Sequence, residues 1–154
     1  MNDMKLALAL SERADLQEKI GDLAARLNKN AKVQEGEKPT EDPNALIREL
    51  DSCYERLEVL IAKINHTNDV TMCGDVSLVE LLAKRECLLG KIQKMKSFLL
   101  KSSDLIDRYY TKSEVRIYST VPVAELQEKL DALCKEYRTL DDKIQELNWT
   151  TELI

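Results

Sequence analysis

The chain holds one histidine, one tryptophan and one phenylalanine among 154 residues, with only four glycines and three prolines. A single histidine, His66, cannot supply the Glu-x-x-His pairs that a di-iron bundle draws from two helices. It would serve Ser-His or Cys-His catalysis only beside a nucleophile and an orienting group. Cys73, seven residues on, is the nearest candidate, and a histidine without a chemical role is the expected reading. No glycine-rich phosphate loop is present. The four cysteines, Cys53, Cys73, Cys87 and Cys134, show no C-x-x-C spacing. No zinc site is expected from them, and they read as reduced, small apolar residues. Adjacent carboxylates such as Asp141 and Asp142 point in different directions on a helix and read as solvated surface. No catalytic residue, metal site or cofactor is therefore expected, and the chain is not read as an enzyme.

Two further absences bear on partners. Net charge is −5 and no basic cluster offsets it, so nucleic acid is not expected as a partner. No apolar run approaches the roughly 20 residues of a membrane span. The start, "MNDMKLALALSERAD", is apolar only over Leu6 to Leu10. That is shorter than the roughly 7–15 residues of a signal-peptide core. The expectation is a soluble, cytoplasmic protein with no membrane partner.

What the chain does have is charge and apolar residues in helical rhythm, with 33% charged and 44% hydrophobic residues. Apolar residues recur at alternating spacings of three and four along four segments. The first runs Leu6, Ala9, Leu16, Ile20, Leu23 and Leu27, with Arg13 interrupting the seam. The second runs Leu46, Leu50, Cys53, Leu57, Leu60 and Ile64, after Asp42 as cap and Pro43 in the first turn. The third runs Leu78, Leu82, Leu89, Ile92, Met95, Leu99 and Ile106, with Arg85 in the seam and Ser77 and Glu80 as a capping box. The fourth runs from Val123 through Leu126, Leu130, Leu133, Tyr137, Leu140 and Ile144 to Leu147. Each helix has one stripe to bury, and the expected fold is an all-α antiparallel four-helix bundle of two helical hairpins in one domain, 1–154. A long hairpin that completes its core in an oligomer is the alternative.

The halves resemble each other, as residues 4–68 and 77–148. Arg13 matches Arg85, Lys19 matches Lys91 and Ile20 matches Ile92. In the second helix of each half, Leu50-Asp51 matches Leu130-Asp131 and Lys63-Ile64 matches Lys143-Ile144. Both halves carry a long connection, 28–42 and 108–122, where bundles usually use roughly 2–8 residues. The second alternates over "SEVRIYST" with period two, and the first alternates briefly before Gly36. A small antiparallel pair of strands, 31–35 with 114–119, is expected at that end of the bundle.

The other end gathers the chain start, the turn 64–76 and the tail 146–154. It holds Asn65, His66, Asn68, Asn148 and Trp149. The asparagines are expected to cap helix ends, with a small polar ligand as the alternative. Trp149 is expected to plug the lower core, with an intermolecular anchor as the alternative. Arg13 and Arg85 either reach water along their stems or point inward at carboxylates on the facing helices, Asp51, Glu55, Glu58, Glu136 and Asp141. Inward-pointing arginines would also suit a small anionic ligand.

"LNKNAKVQEGEKPTEDP", "INHTN", "RYYTKSEVRIYSTVPVAELQ" and "IQELNWTTEL", in this order, resemble a family of small bacterial helical proteins of unknown function, some labelled septicolysin. The resemblance spans nearly the whole chain. It implies a bacterial origin and brings no catalytic residues, and the label implies a cytolysin. The residues favour a structural or interaction protein that works as a homo-oligomer. A membrane-active protein is the alternative.

Overall fold

The computed structural model describes residues 4–105 and 116–154. Its elements are α1 (Leu6–Lys29), α2 (Pro43–Val70), β1 (Met72–Cys73), β2 (Val76–Ser77), α3 (Leu78–Ser103) and α4 (Val123–Thr150). The chain is all-α, with one small two-stranded antiparallel sheet between α2 and α3. It divides into two compact units, Met1–Ser77 with Glu146–Ile154, and Leu78–Gln145. The last turn of α4 thus belongs to the first unit.

In the first unit α1 and α2 form an antiparallel hairpin. Glu12 pairs with Arg56, Lys19 with Glu49 and Arg26 with Glu41, so numbers rise along one helix as they fall along the other. Between them Leu23, Leu46 and Cys53 are buried, with Leu16, Ile20, Leu27 and Leu50 packed around. These are the seam residues expected from the spacing. Asp42 caps α2 by accepting from the Asn44 amide at 3.0 Å, and Pro43 follows it. α1 has no side-chain cap. Its first amide, Leu6 N–H, instead donates to the Thr151 carbonyl at 2.9 Å, and Leu153 N–H donates to the Met4 carbonyl at 2.8 Å. The chain start and the tail therefore close on each other as a short antiparallel bridge, Lys5 opposite Glu152.

The sheet is not where the alternation placed it. Residues 31–35 form no strand, and neither do residues 116–119. Residues 114 and 115 lie outside the described residues. The 31–40 stretch is exposed throughout, so no buried face fixes a strand register there. The strands lie instead in the turn after α2, with Met72 opposite Ser77 and Cys73 opposite Val76. That register leaves Gly74 and Asp75 as a two-residue loop. Gly74 has φ +63° and Asp75 does not share the left-handed conformation, the arrangement of a II′ hairpin turn.

In the second unit α3 and α4 also run antiparallel: Arg85 pairs with Asp141, while Leu99 and Ser103 line a groove with Gln127 and Leu130. Ile92, Leu99, Leu130, Leu140 and Ile144 are buried as expected. Leu88 is buried and Leu89 exposed, so the α3 seam passes one residue earlier than expected. Leu88 keeps the three-four step from Arg85 to Ile92 and lies closer to the line through Ile92 and Leu99. Ile106, expected on this helix, lies outside the described residues. α1 and α3 begin at Leu6 and Leu78, and α2 and α4 at Pro43 and Val123. These starts keep the register in which the two halves match in sequence.

Candidate functional site

The residues expected at the tail end of the chain fall within one unit, on helices rather than in a turn. α2 continues to Val70, so Asn65, His66 and Asn68 occupy its last turns. The extension is held by Thr67, which is fully buried. Its hydroxyl donates to the Lys63 carbonyl at 2.8 Å and accepts from the Ile154 amide at 3.0 Å. The Thr67 carbonyl in turn receives the Thr71 amide and hydroxyl, at 3.0 and 2.6 Å. Thr67 and Thr71 therefore finish α2, and Asn65, Asn68 and Asn148 are not its cap. Asn148 is buried within α4, Asn68 is half-buried, and Asn65 and His66 are exposed. Among the described residues no group of three or more His, Cys, Asp or Glu side chains could hold a metal ion.

Trp149 does not plug the core, because its side chain is 61% exposed. The buried line of α4 runs through Leu140, Ile144 and Asn148. Five residues beyond Ile144, Trp149 points well off that line at the helical angle of about 100° per residue.

The two seam arginines differ. Arg85 donates to Asp141 at 2.7 Å, with both side chains about a third exposed or less, at 27% and 33%. Asp141 is one of the carboxylates expected to face it. Arg13 is half-buried and forms no salt bridge with a described residue. The register of the halves explains the difference, because Ile61 stands on α2 where Asp141 stands on α4. The same register pairs Glu12 with Lys84 and Arg56 with Glu136. The matching ion pairs, Glu12–Arg56 and Lys84–Glu136, therefore have opposite polarity.

A clamp that the sequence reading missed closes the first long connection. Asn30 ends α1 and is buried. Its Nδ2 donates to the Arg26 carbonyl at 2.9 Å, and its Oδ1 accepts from the Glu41 amide at 3.1 Å. Arg26 Nε reaches Glu41 Oε2 at 3.0 Å, while its Nη2 donates to Oε1. The guanidinium holds the Glu41 carboxyl below its ordinary pKa. Lys19 does the same to Glu49, and Arg56 to Glu12. The available signal was an asparagine directly after the last lysine of a helix.

The most distinctive open surface runs along one flank of α2 in the first unit. Tyr54, Leu57, Glu58, Ile61, Ala62 and Asn65 line a shallow, mainly apolar groove. Tyr54 is 53% exposed, and Ile47, two turns earlier on the same flank, is 44% exposed. The flank lies beside the seam stripe and is not consumed by packing against α1.

The model of a family of unknown function (DUF6847) matches residues 13–153. A crystal structure of a functionally unknown conserved protein from Corynebacterium diphtheriae is similar over 99% of this chain and 100% of its own, with 38% identity and a TM-score of 0.93. No curated protein matches the chain.

Proposed function

The chain belongs to the family of unknown function DUF6847, and we propose that it is a non-enzymatic interaction protein working as a homo-oligomer. The observation that carries this is the exposed apolar flank of α2, with Ile47, Tyr54 and Ile61 along one line outside the hairpin seam. Two helices bury only the stripes that face each other, so a second apolar line needs a further partner. Trp149, exposed at the end of α4, supplies a second docking element of the type enriched at interfaces. The half-repeats 4–68 and 77–148 belong to this reading, as two hairpins of one design. So does a cytoplasmic setting, supported by four free cysteines, one of them exposed.

The septicolysin label carried by some members of the resembling family would imply membrane activity. Among the described residues no helix is long and apolar enough to cross a membrane. Small polar or anionic ligand binding has Arg13 as its candidate contact, being the seam arginine without a salt bridge to a described residue.

Sedimentation equilibrium at tens of micromolar tests the reading. A mass that rises with concentration above 17.6 kDa is expected. A species that stays at that mass throughout overturns it.

A further inference from the structure

The two hairpins supply an internal control on the α2 groove. A flank needed for a hairpin to fold would be apolar in both. At the positions matching Tyr54, Leu57, Glu58, Ile61 and Ala62, the second hairpin has Cys134, Tyr137, Arg138, Asp141 and Asp142. Its hairpin nevertheless buries Leu130, Leu140 and Ile144. The apolar line of α2 therefore has no counterpart in the second hairpin.

Charge surrounds this line. Asp51, Glu55 and Glu58 are exposed on and beside the same flank, and among the described residues none of them makes a salt bridge. The second unit has a groove of the opposite character, on the other flank of its helix. There Ala132 and Leu140 form an apolar floor edged by Lys84, Lys135 and Lys143. Among the described residues Glu136, paired with Lys84, is the only acid lining it.

We propose that the apolar α2 groove of one copy, flanked by Asp51, Glu55 and Glu58, docks on the lysine-edged α4 groove of a second copy. The proposal rests on the self-association reading above and names its surface. Every copy carries both grooves, so each copy offers the other a surface of each kind. The apolar lines supply the buried centre, and the carboxylates and lysines form a rim that sets orientation and rejects groove-to-like-groove contact. Acid against acid, or lysine against lysine, would repel.

Charge reversal tests it on the full chain. One variant carries Asp51→Lys with Glu58→Lys, a second carries Lys135→Glu with Lys143→Glu, and a third carries all four changes. Sedimentation gives the dissociation constant, and circular dichroism confirms the helix content of each variant. The first two are expected to weaken association about tenfold or more, and the third to restore most of it. Association by the first two variants as tight as in the unaltered chain overturns the proposal, as does a third variant no tighter than either. An unaltered chain that is monomeric at all concentrations overturns the self-association reading itself, which separates the two failures.

Discussion

Leu23 is fully buried in the first hairpin, whereas Met95, at the matching place in the second, is half-buried. Arg26 clasps Glu41 in the first, and the matching residue of the second, Phe98, is 49% exposed. Ile20 and Ile92, Leu27 and Leu99, Ile64 and Ile144 keep the seam in both. The difference shows how little of a helical hairpin is fixed by its fold. The seam keeps its apolar type because burial of these side chains is the main stabilising term, at roughly 25 cal/mol per Å². Residues off the seam differ between the hairpins, since surface ion pairs are worth little.

Paired substitutions at matching positions sharpen this contrast. Leu23→Ala is expected to cost about 2–5 kcal/mol, because a fully buried leucine leaves a cavity beside Leu46 and Cys53. Met95→Ala should cost less than half as much, both read by urea denaturation. Asn30→Ala removes two hydrogen bonds of a buried side chain and should cost about 1–2 kcal/mol. Its counterpart Ser102 bonds, among the described residues, the Leu99 carbonyl of its own helix, so Ser102→Ala should stay within about 0.5 kcal/mol. Arg85→Ala breaks a part-exposed ion pair and should cost about 1 kcal/mol, with Arg13→Ala at about half that or less. Equal losses for the two arginines would erase the asymmetry assigned to Ile61 and Asp141.

Acid gives the smallest of these effects. The Glu12, Glu41 and Glu49 carboxyls have lowered pKa values in the folded chain. Their contribution is present above the ordinary carboxylate pKa and is lost as pH falls through the folded values. Stability read by urea denaturation should therefore fall as pH drops below the ordinary carboxylate range, and Glu41→Gln should flatten part of that slope. An identical slope in that variant would remove Glu41 from the account.

The helices were legible because burial imposes a period. Seam residues from Leu6 to Ile144 and the Asp42-Pro43 start follow from spacing and local capping. Tertiary hydrogen bonds leave no such trace. Asn30 reaches the Glu41 amide eleven residues away, a link no local pattern encodes. The hairpin at Gly74 had a local signal, a Gly-Asp pair between Met72-Cys73 and Val76-Ser77, but its strands are too short to alternate visibly. The alternation over 116–119 was stronger and produced no strand there, since period two marks a strand only where one face is buried. The orientation of Trp149 was illegible because a single large residue near a helix end carries no period. The α2 groove escaped notice because its residues are ordinary helix formers. Only comparison with the second hairpin singles them out.

The inverted polarity of the Glu12–Arg56 and Lys84–Glu136 pairs bears on how a chain with two similar halves avoids confusing them. While the chain is being assembled, α1 meets its own partner α2 and, later, the similar α4. A mistaken α1–α4 hairpin in the same register would set Glu12 against Glu136, and α2 with α3 would set Arg56 against Lys84. Had both halves kept one polarity, this contact would have been as well matched in the wrong hairpins as in the right ones. The inversion therefore biases each helix toward the partner in its own half, by the small amount that an exposed ion pair is worth.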